Sequence, residues 1–66
     1  MSIGEFDLCM REIAEAEKNI KAHRFVLANL KLAAIGPLIE TASNDRYKRC
    51  VLTRFQSARI IVKCFV

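Results

Sequence analysis

The feature that most constrains the fold is a long row of apolar residues in the first half of the chain, spaced alternately three and four positions apart. This is the pattern of a helix that buries one narrow stripe, whereas a strand would place polar residues at every second position. Ser2 followed by Glu5 matches a capping box at its start. The spacing predicts a helix over residues 3–35 that buries Phe6, Cys9, Ile13, Ala16, Ile20, His23, Leu27, Leu30 and Ala34.

The adjacent residues Gly36 and Pro37 predict the end of this first helix. Glycine favours the left-handed conformation found after helices, and proline lacks the backbone donor that a continuing helix needs. One interpretation of the next segment is a short helical turn over residues 37–43. The Ser-Asn-Asp run at residues 43–45 then provides candidate N-caps for another helix.

A second apolar stripe of helical period comes after these N-caps. The β-branched run at residues 60–62 also fits a short strand, but such a strand would need a partner from another copy. We therefore predict a second helix whose buried stripe is Tyr47, Val51, Phe55, Ala58, Val62 and Phe65.

Two long amphipathic helices predict an all-α fold, an antiparallel helical hairpin that forms a single domain over residues 1–66. Residues 1–17 carry five acids and one base, a net charge of −4, whereas residues 46–66 carry six bases and no acid, a net charge of +6. Opposite charges beside a helical seam favour this pairing. Because 53% of the 66 residues are apolar and a short chain hides little surface, we expect self-association, preferentially as a dimer, into a helical bundle.

The three cysteines and the single histidine match no metal site and no closed disulfide framework. An odd number leaves one cysteine unpaired, and the sequence has neither a CxxC element nor a second histidine. We interpret Cys9, Cys50 and Cys64 as free, buried, apolar side chains in a reducing, cytoplasmic setting. His23 is interpreted as a polar residue in or beside the helical seam.

Catalytic patterns are also missing from the sequence. His23 has no nucleophile identifiably arranged around it, and Gly4 and Gly36 do not form a phosphate-binding loop. The sequence therefore predicts a protein that is not an enzyme and that binds no cofactor or metal. Its most apolar stretch, residues 25–39, is interrupted by Lys31 and is shorter than the ~20 residues of a membrane-spanning helix, so we expect no membrane interaction.

The basic face of the second predicted helix is the strongest candidate for binding a partner. Ile60 lies among its bases, an arrangement typical of an apolar anchor with a charged rim. Basic surfaces bind nucleic acids or acidic proteins, although many only keep a helix hydrated. The predicted partner-binding residues are Arg46, Arg49, Gln56, Arg59, Ile60 and Lys63.

Further apolar residues exceed what a single seam between two helices would bury. We assign them to an interface between copies of the chain. The predicted oligomer-interface residues are Phe25, Val26, Leu52, Ile61 and Phe65.

Together these features predict a small interaction or regulatory protein that self-associates and modulates a protein partner. The alternative is a small basic helical regulator that places Arg46, Arg49, Arg59 and Lys63 on nucleic-acid phosphates. In length and hairpin layout the chain resembles small plasmid- and phage-type helical regulators, and no motif assigns it to a family. A third interpretation is a fragment of a larger protein, because residues 63–66 form an apolar terminus of the kind that proteins usually cover.

Overall fold

The computed structural model describes residues 1–65, which form three α-helices and no strand. The helices are α1 (Ile3–Lys21), α2 (Phe25–Thr41) and α3 (Arg46–Lys63). Every pair of helices packs together. The predicted all-α helical bundle is therefore confirmed. Val66, the last residue of the predicted domain and of the apolar terminus, lies outside the described residues.

The first predicted helix is in fact two helices, because the chain turns at residues 22–24. His23 has a φ of 60°, in the left-handed region. Its N–H donates to the Ile20 carbonyl at 3.0 Å, and the Arg24 N–H donates to the Asn19 carbonyl at 2.8 Å. These two bonds form a Schellman motif, in which glycine usually occupies the position of His23. The prediction of one continuous helix is therefore wrong. The turn could not be recognised in the sequence, because a histidine stands where a glycine is usual.

The turn also changes which residues of the predicted stripe are buried. In α1 the stripe is confirmed at Cys9, Ile13 and Ala16. In α2 the predicted positions Leu27, Leu30 and Ala34 are exposed instead. A left-handed residue redirects the helix that comes after it, so a single phase does not persist over residues 3–35. His23 itself is exposed rather than part of the seam, and the buried residues of α2 are Ala28, Leu32, Ile35 and Ile39.

Gly36-Pro37 does not end a helix, because α2 continues through it to Thr41. The predicted helix end and the separate turn over residues 37–43 are therefore wrong. Proline leaves the carbonyl of Ala33 without its helical donor, but Ala33 and Pro37 are both exposed, so water can bond that carbonyl. Buried residues on both sides of the dipeptide hold the helix together across it.

Side-chain caps fix the starts of α1 and α3. The predicted capping box is confirmed: the Glu5 N–H donates to Ser2 Oγ at 3.2 Å, and the Ser2 N–H donates to Glu5 Oε1 at 2.9 Å. Asp45 caps α3 by accepting from the Lys48 N–H at 2.9 Å, and its second oxygen accepts from the Met1 ammonium group at 2.7 Å. These hydrogen bonds lower the pKa of both Glu5 and Asp45.

The three helices alternate in direction. The rings of Phe6 and Tyr47 lie 4.9 Å apart near the starts of α1 and α3, whereas Phe25 at the start of α2 stacks on Phe65, just after α3, at 4.3 Å. The acidic and basic segments therefore lie side by side as predicted, but they run parallel rather than antiparallel. Within residues 1–65, α1 and α3 share one ion pair, Arg54–Glu17 at 2.6 Å.

The core lies where the three helices meet, and the predicted stripe of α3 is confirmed at Val51, Phe55, Ala58 and Val62. Its two end positions differ, because Tyr47 is half-buried and Phe65 is exposed after the end of the helix. Residues 60–62 are helical, so the strand alternative is excluded. No helix among the described residues has the length and apolar character needed to cross a bilayer. The buried residues are Cys9, Ile13, Ala16, Ala28, Leu32, Ile35, Ile39, Val51, Phe55, Ala58 and Val62.

Candidate interaction surfaces

The exposed side of α2 is mostly apolar. α2 carries only two charged residues, Lys31 and Glu40. Val26 is 66% exposed and Leu30 is 60% exposed. A helix that is apolar on all sides is normally buried on all sides. We call this surface the α2 outer face; it consists of Val26, Leu27, Leu30 and Ala34.

An open groove extends the α2 outer face across to α1. Leu8 of α1 lines it opposite Leu27, Leu30 and Ala34. Lys31 and Glu12, which form an ion pair at 3.2 Å between their charged groups, also line the groove. The apolar part of this lining is continuous with the α2 outer face, because Leu27, Leu30 and Ala34 belong to both.

The basic face of α3 is exposed along its length, and Ile60 at 66% exposure lies among the bases. Two of the six bases of α3 are engaged inside the chain: Arg54 pairs with Glu17, and the Lys48 ammonium donates to the Ala42 carbonyl at 3.0 Å. The other four form no ion pair within residues 1–65. All six predicted partner-binding residues are exposed, namely Arg46, Arg49, Gln56, Arg59, Ile60 and Lys63.

These six residues do not all point the same way. Arg59 and Lys63 line a groove between α2 and α3, and they also border a depression that contains Gln56 and Ile60. Arg46 and Arg49 line neither of these depressions. The structure thus separates the predicted face into a part beside α2 and a part nearer the start of α3.

The five predicted oligomer-interface residues lie on separate surfaces. Val26 belongs to the α2 outer face. Phe25 is half-buried and stacks on the exposed Phe65. Leu52 is half-buried against the core, and Ile61 lines a groove between α1 and α3. The structure therefore does not bring the five together as one interface.

The cysteines differ from one another in exposure. Cys9 is fully buried, and burial followed by the nearby charge of Glu5 raises the pKa of its thiol. Cys50 and Cys64 are exposed and free. The prediction that all three are buried is wrong for these two, which lie away from the buried stripe of α3. Within residues 1–65, no three His, Cys, Asp or Glu side chains are grouped closely enough to hold a metal ion.

Most of the α2 outer face could not be recognised from the apolar periodicity, because Leu27, Leu30 and Ala34 fit the buried seam of a single long helix. A signal was nevertheless present, since the 17 residues of α2 include only two charges.

No protein-family model matches this chain, and no curated protein and no solved structure is significantly similar to it. The functional assignment therefore depends on the surfaces of the chain itself.

Proposed function

We propose that this chain is a small non-enzymatic regulatory protein that acts by binding. It self-associates through the α2 outer face and offers the basic face of α3 to an acidic protein partner, which it modulates. The exposure of the α2 outer face is the observation that carries the proposal. The free cysteines support a reducing, cytoplasmic setting as part of the same proposal.

Self-association is supported by the apolar surface that a single copy leaves exposed. Leu27 and Leu30 of α2 adjoin Leu8 of α1 across the groove between these helices. Complete burial of one leucine or valine side chain contributes roughly 1.5–3 kcal/mol relative to exposure. Several such side chains are needed to offset the roughly 4–15 kcal/mol of entropy lost on association. A second copy supplies them because a two-fold contact places the same apolar surface on both sides.

Sedimentation equilibrium of the wild type and a Leu30→Lys variant tests this part of the proposal. A lysine at the centre of an apolar contact is costly to desolvate, so we expect the dimer dissociation constant to rise by more than about tenfold. Ala14→Lys is the matched control, since Ala14 is exposed on α1 and does not line the groove between α1 and α2. A wild type that stays monomeric up to about 100 μM would contradict self-association.

The acidic protein partner is supported by the four bases of α3 that form no ion pair within residues 1–65 and by the exposed Ile60. An apolar anchor with a charged rim is the usual composition of a binding surface. We expect Arg49→Glu and Ile60→Lys each to reduce the amount of acidic protein that the immobilised chain retains. Neither change should alter the helical circular dichroism. If both variants retain the same acidic proteins as the wild type, the basic face of α3 is not the binding surface.

Nucleic acid is a second candidate partner, favoured by the six bases and absence of acids in α3. Binding through several phosphates releases counterions, so the affinity would fall steeply as the salt concentration rises. A mobility-shift assay with duplex DNA and with RNA at two salt concentrations tests this candidate. Failure to bind either at low salt would eliminate it and leave the protein partner.

A further inference from the structure

The groove between α2 and α3 is the smaller of the two grooves beside α2, and its lining combines apolar residues with two bases, one acid and one amide. Its volume is about 240 Å³, below the roughly 300–1,000 Å³ that is typical of small-molecule sites. A space of this size receives one or two side chains from a protein ligand. The apolar part of its lining consists of Leu32, Ala33, Gly36, Pro37 and Phe55, and the polar part consists of Asn29, Glu40, Arg59 and Lys63.

Gly36 opens this groove onto the ring of Phe55. A Cβ atom at position 36 would lie 3.7 Å from Phe55 Cζ, an ordinary van der Waals distance. The missing side chain therefore leaves the edge of the ring within reach of a ligand, although Phe55 is otherwise buried. A longer side chain at position 36 would extend over this part of the groove without straining α2.

Arg59 and Lys63 carry the positive charge of this lining. They are four residues apart on α3, so their side chains lie on the same side of the helix and repel each other. Neither forms an ion pair within residues 1–65, although Glu40 lines the same groove. A ligand carboxylate placed between the two cations would relieve this repulsion and gain charge-assisted hydrogen bonds.

Ile60 provides a second apolar contact beyond the two cations. It shares a depression with Arg59 and Lys63, so the basic pair lies between Ile60 and Phe55. A ligand that covers the whole surface must therefore present carboxylates flanked by apolar side chains. An amphipathic helix has this composition, because apolar and acidic residues three or four positions apart share one side.

We infer that the groove between α2 and α3 binds an acidic amphipathic helix of another protein. One apolar side chain of that helix packs on Phe55 beside Gly36, and its carboxylates bind Arg59 and Lys63. This inference rests on the proposed function, and it narrows that proposal by naming the class of partner and the place where it binds.

The test uses a fluorescent, end-capped peptide of about 14 residues, or four helical turns, built from Leu at helical spacing and Glu elsewhere. Fluorescence anisotropy measures its affinity for the full chain. We expect Lys63→Glu and Gly36→Gln each to weaken binding at least about tenfold. Arg11→Glu makes the same charge change as Lys63→Glu at an exposed site on α1, and we expect it to change the affinity less than about threefold. The same peptide with Lys in place of Glu is expected not to bind.

The variants separate failure of this inference from failure of the proposed function. Loss of binding in Lys63→Glu but not in Gly36→Gln would show that the groove is not the binding site. The acidic partner would then bind bases of α3 outside the groove. No binding of the Glu peptide, or an equal loss in Arg11→Glu, would overturn both the groove and the acidic partner. Duplex DNA that binds more tightly than the peptide and is insensitive to Gly36→Gln would also overturn the inference, in favour of the nucleic-acid candidate. Circular dichroism confirms that each variant is folded.

Discussion

α1 and α2 are of similar length and pack against each other, yet their exposed surfaces differ in composition. α1 buries Cys9, Ile13 and Ala16 on one side, and its exposed residues are mostly charged, apart from a few such as Ile3 and Leu8. α2 buries a comparable stripe, but its opposite side is apolar as well. Packing on one side buries the apolar surface of an amphipathic helix. A helix that is apolar on all sides keeps apolar surface in contact with water unless its other side is packed as well. This difference is the reason for proposing that α2 forms the interface between copies of the chain.

The largest test of this comparison uses two leucines of α2. Leu32 is 2% exposed and Leu30 is 60% exposed. We expect Leu32→Ala to lower the free energy of unfolding by about 2–5 kcal/mol, because it leaves a cavity in the core. Leu30→Ala is expected to lower it by less than about 0.5 kcal/mol in the monomer. Urea unfolding at protein concentrations well below the dimer dissociation constant measures both, and equal losses would show that the two sides of α2 are equivalent.

Pro37 is a second difference between the two helices, because α2 contains this proline and α1 contains none. We expect Pro37→Ala to raise the free energy of unfolding by about 1–2 kcal/mol, since it restores a helical hydrogen bond. The gain is smaller than the ~3 kcal/mol of a mid-helix proline, because only the last turn of α2 lies beyond it. Pro37→Gly is the matched control, and its gain should be about 1 kcal/mol smaller. A loss of stability on thermal unfolding of Pro37→Ala would show that the ring of Pro37 contributes packing.

The turn between α1 and α2 predicts a smaller effect. His23 adopts a φ of 60°, a left-handed conformation that glycine adopts with less strain than histidine. We expect His23→Gly to raise the free energy of unfolding by about 0.5–1 kcal/mol, after allowing for the flexibility of glycine in the unfolded chain. Ala22→Gly, at a φ of −88°, should instead lower it by about 0.5–1 kcal/mol. If the two changes have the same sign in urea unfolding, the left-handed turn is not at residue 23.

Helix caps give the smallest contrast, and it depends on pH. Glu5 in the capping box of α1 and Asp45 at the start of α3 both have a lowered pKa, whereas α2 has no side-chain cap. Carboxyls with a lowered pKa stabilise the fold above their unfolded values of about 4, and this contribution is lost as the pH falls through the folded values. The caps of α1 and α3 should therefore weaken in acid while the start of α2 is unaffected.

Asp45→Asn isolates one of these caps. We expect this variant to be less stable than the wild type at pH 7, because it keeps a capping oxygen but loses the charge that faces the Met1 ammonium group. The difference should shrink as the pH falls below about 4, where the wild-type carboxyl becomes protonated. Urea unfolding at neutral and acidic pH measures it. Glu40→Gln, which removes an exposed carboxylate that caps no helix, is the control, and a constant Asp45→Asn difference across this range would contradict the role of the charge.

The start of α1 and the stripe of α3 could be predicted from the sequence because both depend on neighbouring residues. A serine with a glutamate three positions later satisfies the first backbone donors of a helix wherever it occurs. The buried positions Val51, Phe55, Ala58 and Val62 repeat at helical period without interruption. The acidic N-cap Asp45 was likewise among the candidates.

The turn at His23 and the continuation of α2 through Gly36-Pro37 could not be predicted in this way. In both places the residue contradicts its own local preference. Histidine disfavours the left-handed region that it occupies, and proline disfavours the helix interior that contains it. Packing of α2 across both neighbouring helices outweighs these preferences, which amount to about 1–3 kcal/mol each.

The order of residues is enough to establish the helical character of the chain, the cap at Ser2, the buried residues of α1 and α3 and the uncompensated bases of α3, because periodicity and charge are properties of neighbouring residues. The number of helices, the parallel course of α1 and α3 and the outward direction of Leu27 and Leu30 depend instead on how the chain packs in three dimensions. The reason is geometric: one left-handed residue reverses the chain and resets the phase of every side chain after it. An apolar pattern favours burial of the residues that form it. The folded arrangement determines which of these residues the chain itself buries.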